Sequence, residues 1–324
     1  MSERADVARA VAVLRDGGLV AFPTETVYGL GCDAESPVAL RRLFAVKRRP
    51  ADHPVIVHVS SVAAIEVYAV DVSPVARALV DVFWPGPLTV VLPRSARIPD
   101  EVTGGRGTVG LRVPDESCAL ALLVAFGGAV AAPSANRFGK VSPTTAADVR
   151  ADLGDDVDLI LDGGPCRVGV ESTIVDCTGP VPTILRLGGV AQAAIEAVVG
   201  GAVDLRTAGT TAAPGTLPGH YAPIARVVLV ERRAVGARAA GLLAAGRRVG
   251  MLAAAPAPTD LPGGLTVLDP PADIDDFARV LYARLRDADR AGLEVLLVVA
   301  PPPDGVGAAV VDRLARAAVG TGPR

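Results

Sequence analysis

Short apolar runs alternate with capped helical stripes along most of the chain, and this alternation restricts the fold to the α/β class. The first helix carries Val7, Val11 and Leu14 on one stripe, and residues 19–22 form a short buried strand. Ser36-Pro37 is an N-cap followed by proline at the first helical position, so a helix opens there through Leu40, Leu43 and Phe44. Strands are predicted at 55–59, 88–92, 109–113, 129–132, 159–161, 173–176 and 183–187. Helices are predicted near Ser61 and Ser73 and over 117–126, 144–153 and 191–199. From 200 to 223 the composition shifts to Gly, Thr, Ala and Pro, as in a linker. The pattern then restarts, with strands at 226–230, 249–253, 265–268 and 295–299 and helices at 234–245, 273–289 and 304–318. A small open sheet with parallel strands is expected there. The predicted organisation is a domain at 1–199, a linker or lid at 200–224 and a smaller domain at 225–324.

Bulk properties narrow the function classes. The net charge of −3 argues against a protein whose main task is gripping a nucleic-acid backbone, and with 3% aromatics the chain lacks the usual base-stacking platform. Cys32, Cys118, Cys166 and Cys177 show no CxxC, and His53, His58 and His220 no metal spacing, so buried thiols in a reducing compartment are expected. The charged start, MSERADVARA, does not read as a signal peptide. The longest uncharged run, 117–136, carries Gly127-Gly128 and Pro133 and reads as helix, turn and strand rather than a membrane span. No membrane association is expected, and neither GxGxxG nor a Walker sequence is present.

Polar chemistry concentrates in five segments of the first domain. Residues 22–31, FPTETVYGLG, leave a strand and enter a turn with hydroxyls, a carboxylate and glycines, fitted either to a polar ligand or to its own backbone. Lys47-Arg48-Arg49-Pro50 ends a helix, where cations either offset the dipole or clamp phosphates. Downstream, His58 stands near the end of an apolar strand. Arg112 lies mid-strand in 107–115, GTVGLRVPD; buried, it needs Asp115, Glu116 or a ligand carboxylate as partner. Residues 132–136, APSAN, and 139–144, GKVSPT, form a polar strand-to-helix loop suited to an anion or to helix capping. Residues 169–176, GVESTIVD, and 185–188, LRLG, are strand ends bearing polar groups.

Taken in order, PTETVYGLG, KRRP, HPVIVHV, WPGPLT, VGLRVPD, APSAN, SPTTAADV, GVESTIVD and LRLGG closely resemble the YrdC-type domain family over residues 4–195. With HYAP and a C-terminal domain added, the chain resembles the long, two-domain form of the threonylcarbamoyl-AMP synthase family. The resemblance implies a twisted-sheet YrdC-type α/β domain with a concave site, plus a smaller C-terminal Rossmann-like α/β domain. It implies L-threonylcarbamoyladenylate synthesis, from L-threonine, bicarbonate and ATP, for threonylcarbamoyl modification of an adenosine in tRNAs reading ANN codons.

By the same resemblance Lys47 and Arg49 bind phosphates, and Ser134 and Asn136 hold nucleotide phosphate and its metal; these four carry the chemistry. Thr108, Ser142 and Arg186 help hold ATP, with Tyr221 reaching back over it from the linker. Thr24, His58, Arg112 and Ser172 line the threonine pocket, Arg112 taking the carboxylate. Mg²⁺ is expected to arrive with ATP and needs no dedicated protein ligands. The implied partners are the three substrates and a downstream tRNA threonylcarbamoyl transferase complex. A cytoplasmic location is implied, and direct stable tRNA binding is not expected. The alternative reading is an RNA-binding module. One departure from the family pattern stands at Thr216-Leu217-Pro218-Gly219, where a Met and a basic residue are usual before HY, and it bears on the lid.

Overall fold

Residues 3–206 and 220–320 are described by a computed structural model of the chain, and they fall into two units. The first holds 3–138 and 142–206; the second holds 139–141 and 220–320. The predicted linker residues 207–219, with the departure at 216–219, lie outside the described residues.

In the first unit the strands are β1 (Val20–Phe22), β2 (Gly29–Asp33), β3 (Ile56–His58), β4 (Leu88–Pro93), β5 (Thr108–Arg112), β6 (Val130–Ala131), β7 (Leu159–Ile160), β8 (Thr173–Asp176), β9 (Thr183–Arg186) and β10 (Asp204–Leu205). They form one mixed sheet in the order β10-β9-β8-β4-β5-β3-β6-β2-β1-β7. The helices are α1 (Glu3–Arg15), α2 (Pro37–Lys47), α3 (Ile65–Tyr68), α4 (Pro74–Phe83), α5 (Asp100–Thr103), α6 (Ser117–Phe126), α7 (Ala146–Leu153) and α8 (Gln192–Val199). The Ser36 side chain caps α2, and Ser73 caps α4 in the same way. The uncharged run at 117–136 becomes α6, a left-handed Gly127 cap and β6.

The sequence reading missed one central strand. Gly29–Gly31 falls in the segment 22–31 read as leaving a strand for a turn, yet it opens β2, which pairs antiparallel with both β1 and β6. Its glycines carry no strand-like side-chain pattern, but the space at Gly31 demands one. A Cβ on Gly31 would lie 2.7 Å from both Phe22 and Val130.

Strand alternation divides the sheet into two faces. One buries Ala21, Leu30, Val57, Val90 and Leu111 with Leu40, Leu43, Leu79 and Ile195 of the helices, in the main core. On the other, α1 and α6 cover only the β1–β6 side, where Leu14, Leu122 and Leu123 pack on Val20, Phe22 and Val130. The rest of that face keeps a small cluster of strand residues alone, Ile56, Val91, Ile174 and Leu185. A shallow hollow opens there, lined among others by Thr89, Thr108 and Gly110.

The second unit has strands β11 (Arg226–Leu229), β12 (Val249–Leu252), β13 (Thr266–Val267) and β14 (Val295–Val298), all parallel, in the order β11-β14-β12-β13. Helices α9 (Val235–Ala244), α10 (Ile274–Arg290) and α11 (Gly307–Gly320) accompany it. This is the expected Rossmann-like arrangement, and Ala239 of α9 packs on Val249, Val295 and Leu297. Among the described residues no helix is long and apolar enough to cross a membrane. All four cysteines are buried, and none is in a disulfide.

Candidate active site

Pairing register places a row of side chains on the open face of the first sheet. Arg186 of β9 pairs with Ile174 of β8, and Ile174 with Thr89 of β4. One step beyond the Val90–Leu111 pair, Thr89 stands opposite Arg112 of β5. Arg112 pairs with His58 of β3, and His58 with Val130 of β6. Two arginines and a histidine separated by many residues therefore share one face. A residue slip in any pairing would turn them into the apolar core.

At one end of the row, Arg186 donates from Nε and Nη2 to the Ser172 carbonyl at 3.1 and 2.8 Å, and from Nη2 to Ser172 Oγ at 3.0 Å. Ser172 Oγ lies 2.8 Å from Thr89 Oγ1. Gly188 makes this approach possible, since a Cβ there would meet backbone of Glu171, Ser172 and Thr173 at 2.3 Å.

Toward the centre, Arg112 is 3% exposed, and of the three partners the sequence left open, Asp115, Glu116 or a ligand carboxylate, the first two are engaged elsewhere. Asp115 pairs with Arg167 at 2.7 Å, and Glu116 caps α6 through the Ala119 N–H. The buried countercharge is Glu25, 1% exposed, with its Oε1 2.7 Å from Arg112 Nη2. Arg112 also donates from Nε to the Gly86 carbonyl at 3.2 Å and from Nη1 to Thr26 Oγ1 at 3.0 Å. Thr24 Oγ1 donates to the Val27 carbonyl and accepts from the Thr26 and Val27 N–H groups, while sharing a 2.7 Å contact with Thr26 Oγ1. With the Thr24 proton committed to Val27, Thr26 donates to Thr24. The Thr24 hydroxyl is thus spent on shaping the turn.

The KRRP segment works by alternation at a helix end. Arg48 takes the left-handed conformation (φ 53°), which lets both its neighbours turn inward while it stays exposed. Lys47, 1% exposed, donates through Nζ to the carbonyls of Ser134 and Asn136, pinning the loop that follows β6. Burial, and then the neighbouring Arg49, hold its ammonium well below the usual lysine range. Arg49 Nη2 donates to the Pro54 carbonyl at 2.8 Å. Asn136 Nδ2 donates to the Arg137 carbonyl at 2.8 Å.

Backbone hydrogen bonds bring the segments together. Ala135 N–H donates to the Tyr28 carbonyl, Tyr28 N–H to Pro143, Val168 N–H to Glu25 and Gly189 N–H to Glu171. Ser142 Oγ donates to Glu171 Oε1 at 2.7 Å, joining the end of the 132–144 region to the 169–176 segment. Thr108 lines the hollow itself. Of the candidate residues, Thr24, Lys47, Arg49, His58, Thr108, Arg112, Ser134, Asn136, Ser142, Ser172 and Arg186 all belong to the first unit. Tyr221 does not: its ring packs inside the second unit, stacked on Tyr282 at 5.6 Å, with the Arg313 guanidinium 5.1 Å from its centroid. Sequence reasoning left Glu25, Thr26, Thr89 and Glu171 unassigned. The carboxylate in PTET was the one available signal for Glu25.

His58 is 3% exposed and edge-on to Phe22, with ring centroids 6.0 Å apart. Burial, and then the nearby Arg112 charge, push its pKa down to about 3 from the ordinary 6.5. The folded protein keeps this imidazole neutral, whereas the unfolded chain protonates it near pH 6.5. Its contribution to stability is therefore complete above about pH 6.5 and is lost as pH falls toward 3. Urea melts at stepped pH are expected to show a shallower decline over that window for His58→Gln than for the parent; parallel slopes would contradict the buried neutral state.

A twisted mixed sheet whose open half carries buried arginines, a histidine and hydroxyls beside a hollow defines an α/β domain with its polar chemistry gathered on one sheet face. The family described as telomere recombination, the Sua5–YciO–YrdC group, matches residues 12–188. The C-terminal domain of threonylcarbamoyl-AMP synthase matches residues 190–319. Threonylcarbamoyl-AMP synthase of Pyrococcus abyssi is 41% identical over 319 residues, covering 95% of this chain and 92% of that protein. The Bacillus subtilis protein of the same name is 38% identical, covering 97% and 93%. A crystal structure of P. abyssi Sua5 complexed with L-threonine superposes with a TM-score of 0.92 at 39% identity, covering 99% of this chain and 96% of that one. The chain belongs to the threonylcarbamoyl-AMP synthase family, in its two-domain form.

Proposed function

We propose that the chain condenses L-threonine, bicarbonate and ATP into threonylcarbamoyl-AMP and pyrophosphate. The observation that carries this reading is the single row on the open sheet face, with Arg112 and His58 at its centre and Arg186 toward its edge. Near-complete coverage of relatives bearing the synthase name supports it, as does the L-threonine bound in the P. abyssi structure. In the reaction the threonine amine captures bicarbonate as a carbamate, whose oxygen attacks the α-phosphorus of ATP as pyrophosphate leaves. No covalent protein intermediate is required; the protein's work is positioning and charge neutralisation.

In this reading Lys47 and Arg49 face the phosphates, with Ser134 and Asn136 beside them, while Thr108, Ser142 and Arg186 hold the nucleotide. Arg112 receives the threonine carboxylate, within a pocket formed with Thr24, His58 and Ser172. Mg²⁺ enters as part of the ATP substrate, held mainly by phosphate oxygens and water. The product passes to a tRNA threonylcarbamoyl transferase in the cytoplasm, without stable tRNA binding by this chain. An RNA-binding module is not favoured, because the net charge is −3 and aromatics are 3%.

Mixing the protein with ATP, threonine and bicarbonate is expected to release pyrophosphate. Omitting either threonine or bicarbonate should abolish the release, and release independent of threonine would refute the assignment. Tyr221 is proposed to close over the nucleotide and shield the adenylate from water. Tyr221→Ala should speed loss of the adenylate to water, with Tyr221→Phe showing how much of the effect needs the hydroxyl. Unchanged rates in both variants discard the lid.

A further inference from the structure

The Glu25–Arg112 pair is close but incompletely bonded. Although Arg112 Nη2 and Glu25 Oε1 are 2.7 Å apart, neither Glu25 oxygen nor Arg112 Nη2 makes a hydrogen bond of sound geometry. Glu25 is 1% and Arg112 3% exposed, so bulk solvent does not reach the pair. Buried ion pairs offset their desolvation only when the remaining lone pairs and protons are satisfied. The nearby Thr24 hydroxyl is no candidate to fill the gap, its proton and acceptor capacity being used within the turn.

What remains open is a donor on a fixed cation and an acceptor on a fixed anion, side by side. A free α-amino acid presents the complement, a carboxylate and an ammonium on one carbon. We propose that Glu25 binds the α-ammonium of the amino-acid substrate while Arg112 binds its carboxylate, so that the pocket recognises the zwitterion rather than the carboxylate alone. The inference rests on the reading that this pocket holds threonine, and it adds a specificity residue to that reading. Glu25 in this role touches the substrate; a Glu25 that merely held Arg112 in place would act on carboxylate binding instead.

The two roles separate with a ligand that lacks the amine. Titration calorimetry on the full chain, without ATP, compares L-threonine with 3-hydroxybutanoate, its deaminated analogue, the weaker ligand being measured by competition. A charge-assisted hydrogen bond is worth enough that Glu25→Gln should weaken threonine binding at least about tenfold. The same variant should bind 3-hydroxybutanoate as well as the parent or better, since no carboxylate then opposes it. Equal losses for both ligands would overturn the assignment in favour of a positioning role, and unchanged threonine binding would overturn it outright. Should Glu25→Gln fail to fold by thermal melt, Glu25→Asp keeps the charge but draws it back. It must then cost more affinity for threonine than for 3-hydroxybutanoate. A parent protein that binds neither compound refutes the substrate reading itself, an outcome distinct from loss confined to the variant.

Discussion

Replacing Lys47 with methionine is expected to reduce threonine-dependent pyrophosphate release by about 100-fold or more, the usual cost of losing a preorganised charge at a reacting phosphate. The side chain is buried at the end of α2, and its ammonium holds the carbonyls of Ser134 and Asn136. Methionine preserves length and apolar stem but supplies no donor, so both carbonyls lose their partner. Each unsatisfied buried group costs about 1–3 kcal/mol, and the Ser134–Asn136 loop should loosen with it. Melting temperature and the ATP KM separate the two consequences. If phosphate contact dominates, kcat falls while the fold survives; if loop anchoring dominates, the melting temperature and KM change together. Near-parental activity in a folded Lys47→Met protein would remove the lysine from the chemistry.

Arg112→Ala is expected to have the larger effect on stability. It strands Glu25, a 1% exposed carboxylate, without a countercharge, and breaking a buried pair in this way costs about 3–5 kcal/mol. In a domain of this size that corresponds to a fall in melting temperature of roughly 10 °C. Threonine use should weaken far more than ATP binding, because the carboxylate loses its receptor. The double variant Arg112→Ala/Glu25→Gln should recover much of the lost stability but none of the threonine use. A single variant that melts with the parent, or retains threonine-dependent activity, contradicts the role given to Arg112.

Helix ends were legible in the sequence wherever capping chemistry marked them. Ser36-Pro37 announces α2, and Gly127 closes α6 with a positive φ of 75°. Apolar alternation placed β5 and β8 within a residue of where they lie. It failed at β2, where Gly31 is demanded by close approach to Phe22 and Val130 and leaves no hydropathy signal. The candidate site was legible mainly through motif order, since residue types alone could not tell a phosphate clamp at Lys47 and Arg49 from cations placed against a helix dipole. Glu25 as the partner of Arg112 was not legible, because Asp115 and Glu116 stand nearer in sequence while the fold brings in the PTET turn from far upstream. Glu171 was passed over for the same reason, its contact with Ser142 being made only when two distant loops meet.

A crystal structure of the full chain with L-threonine and a non-hydrolysable ATP analogue tests most directly whether one hollow seats both substrates. The account predicts the threonine carboxylate on Arg112, the phosphates beside Lys47 and Ser134, and both ligands on the sheet face that carries His58 and Arg186. Nucleotide or amino acid bound on the opposite sheet face, or only in the second unit, would contradict it.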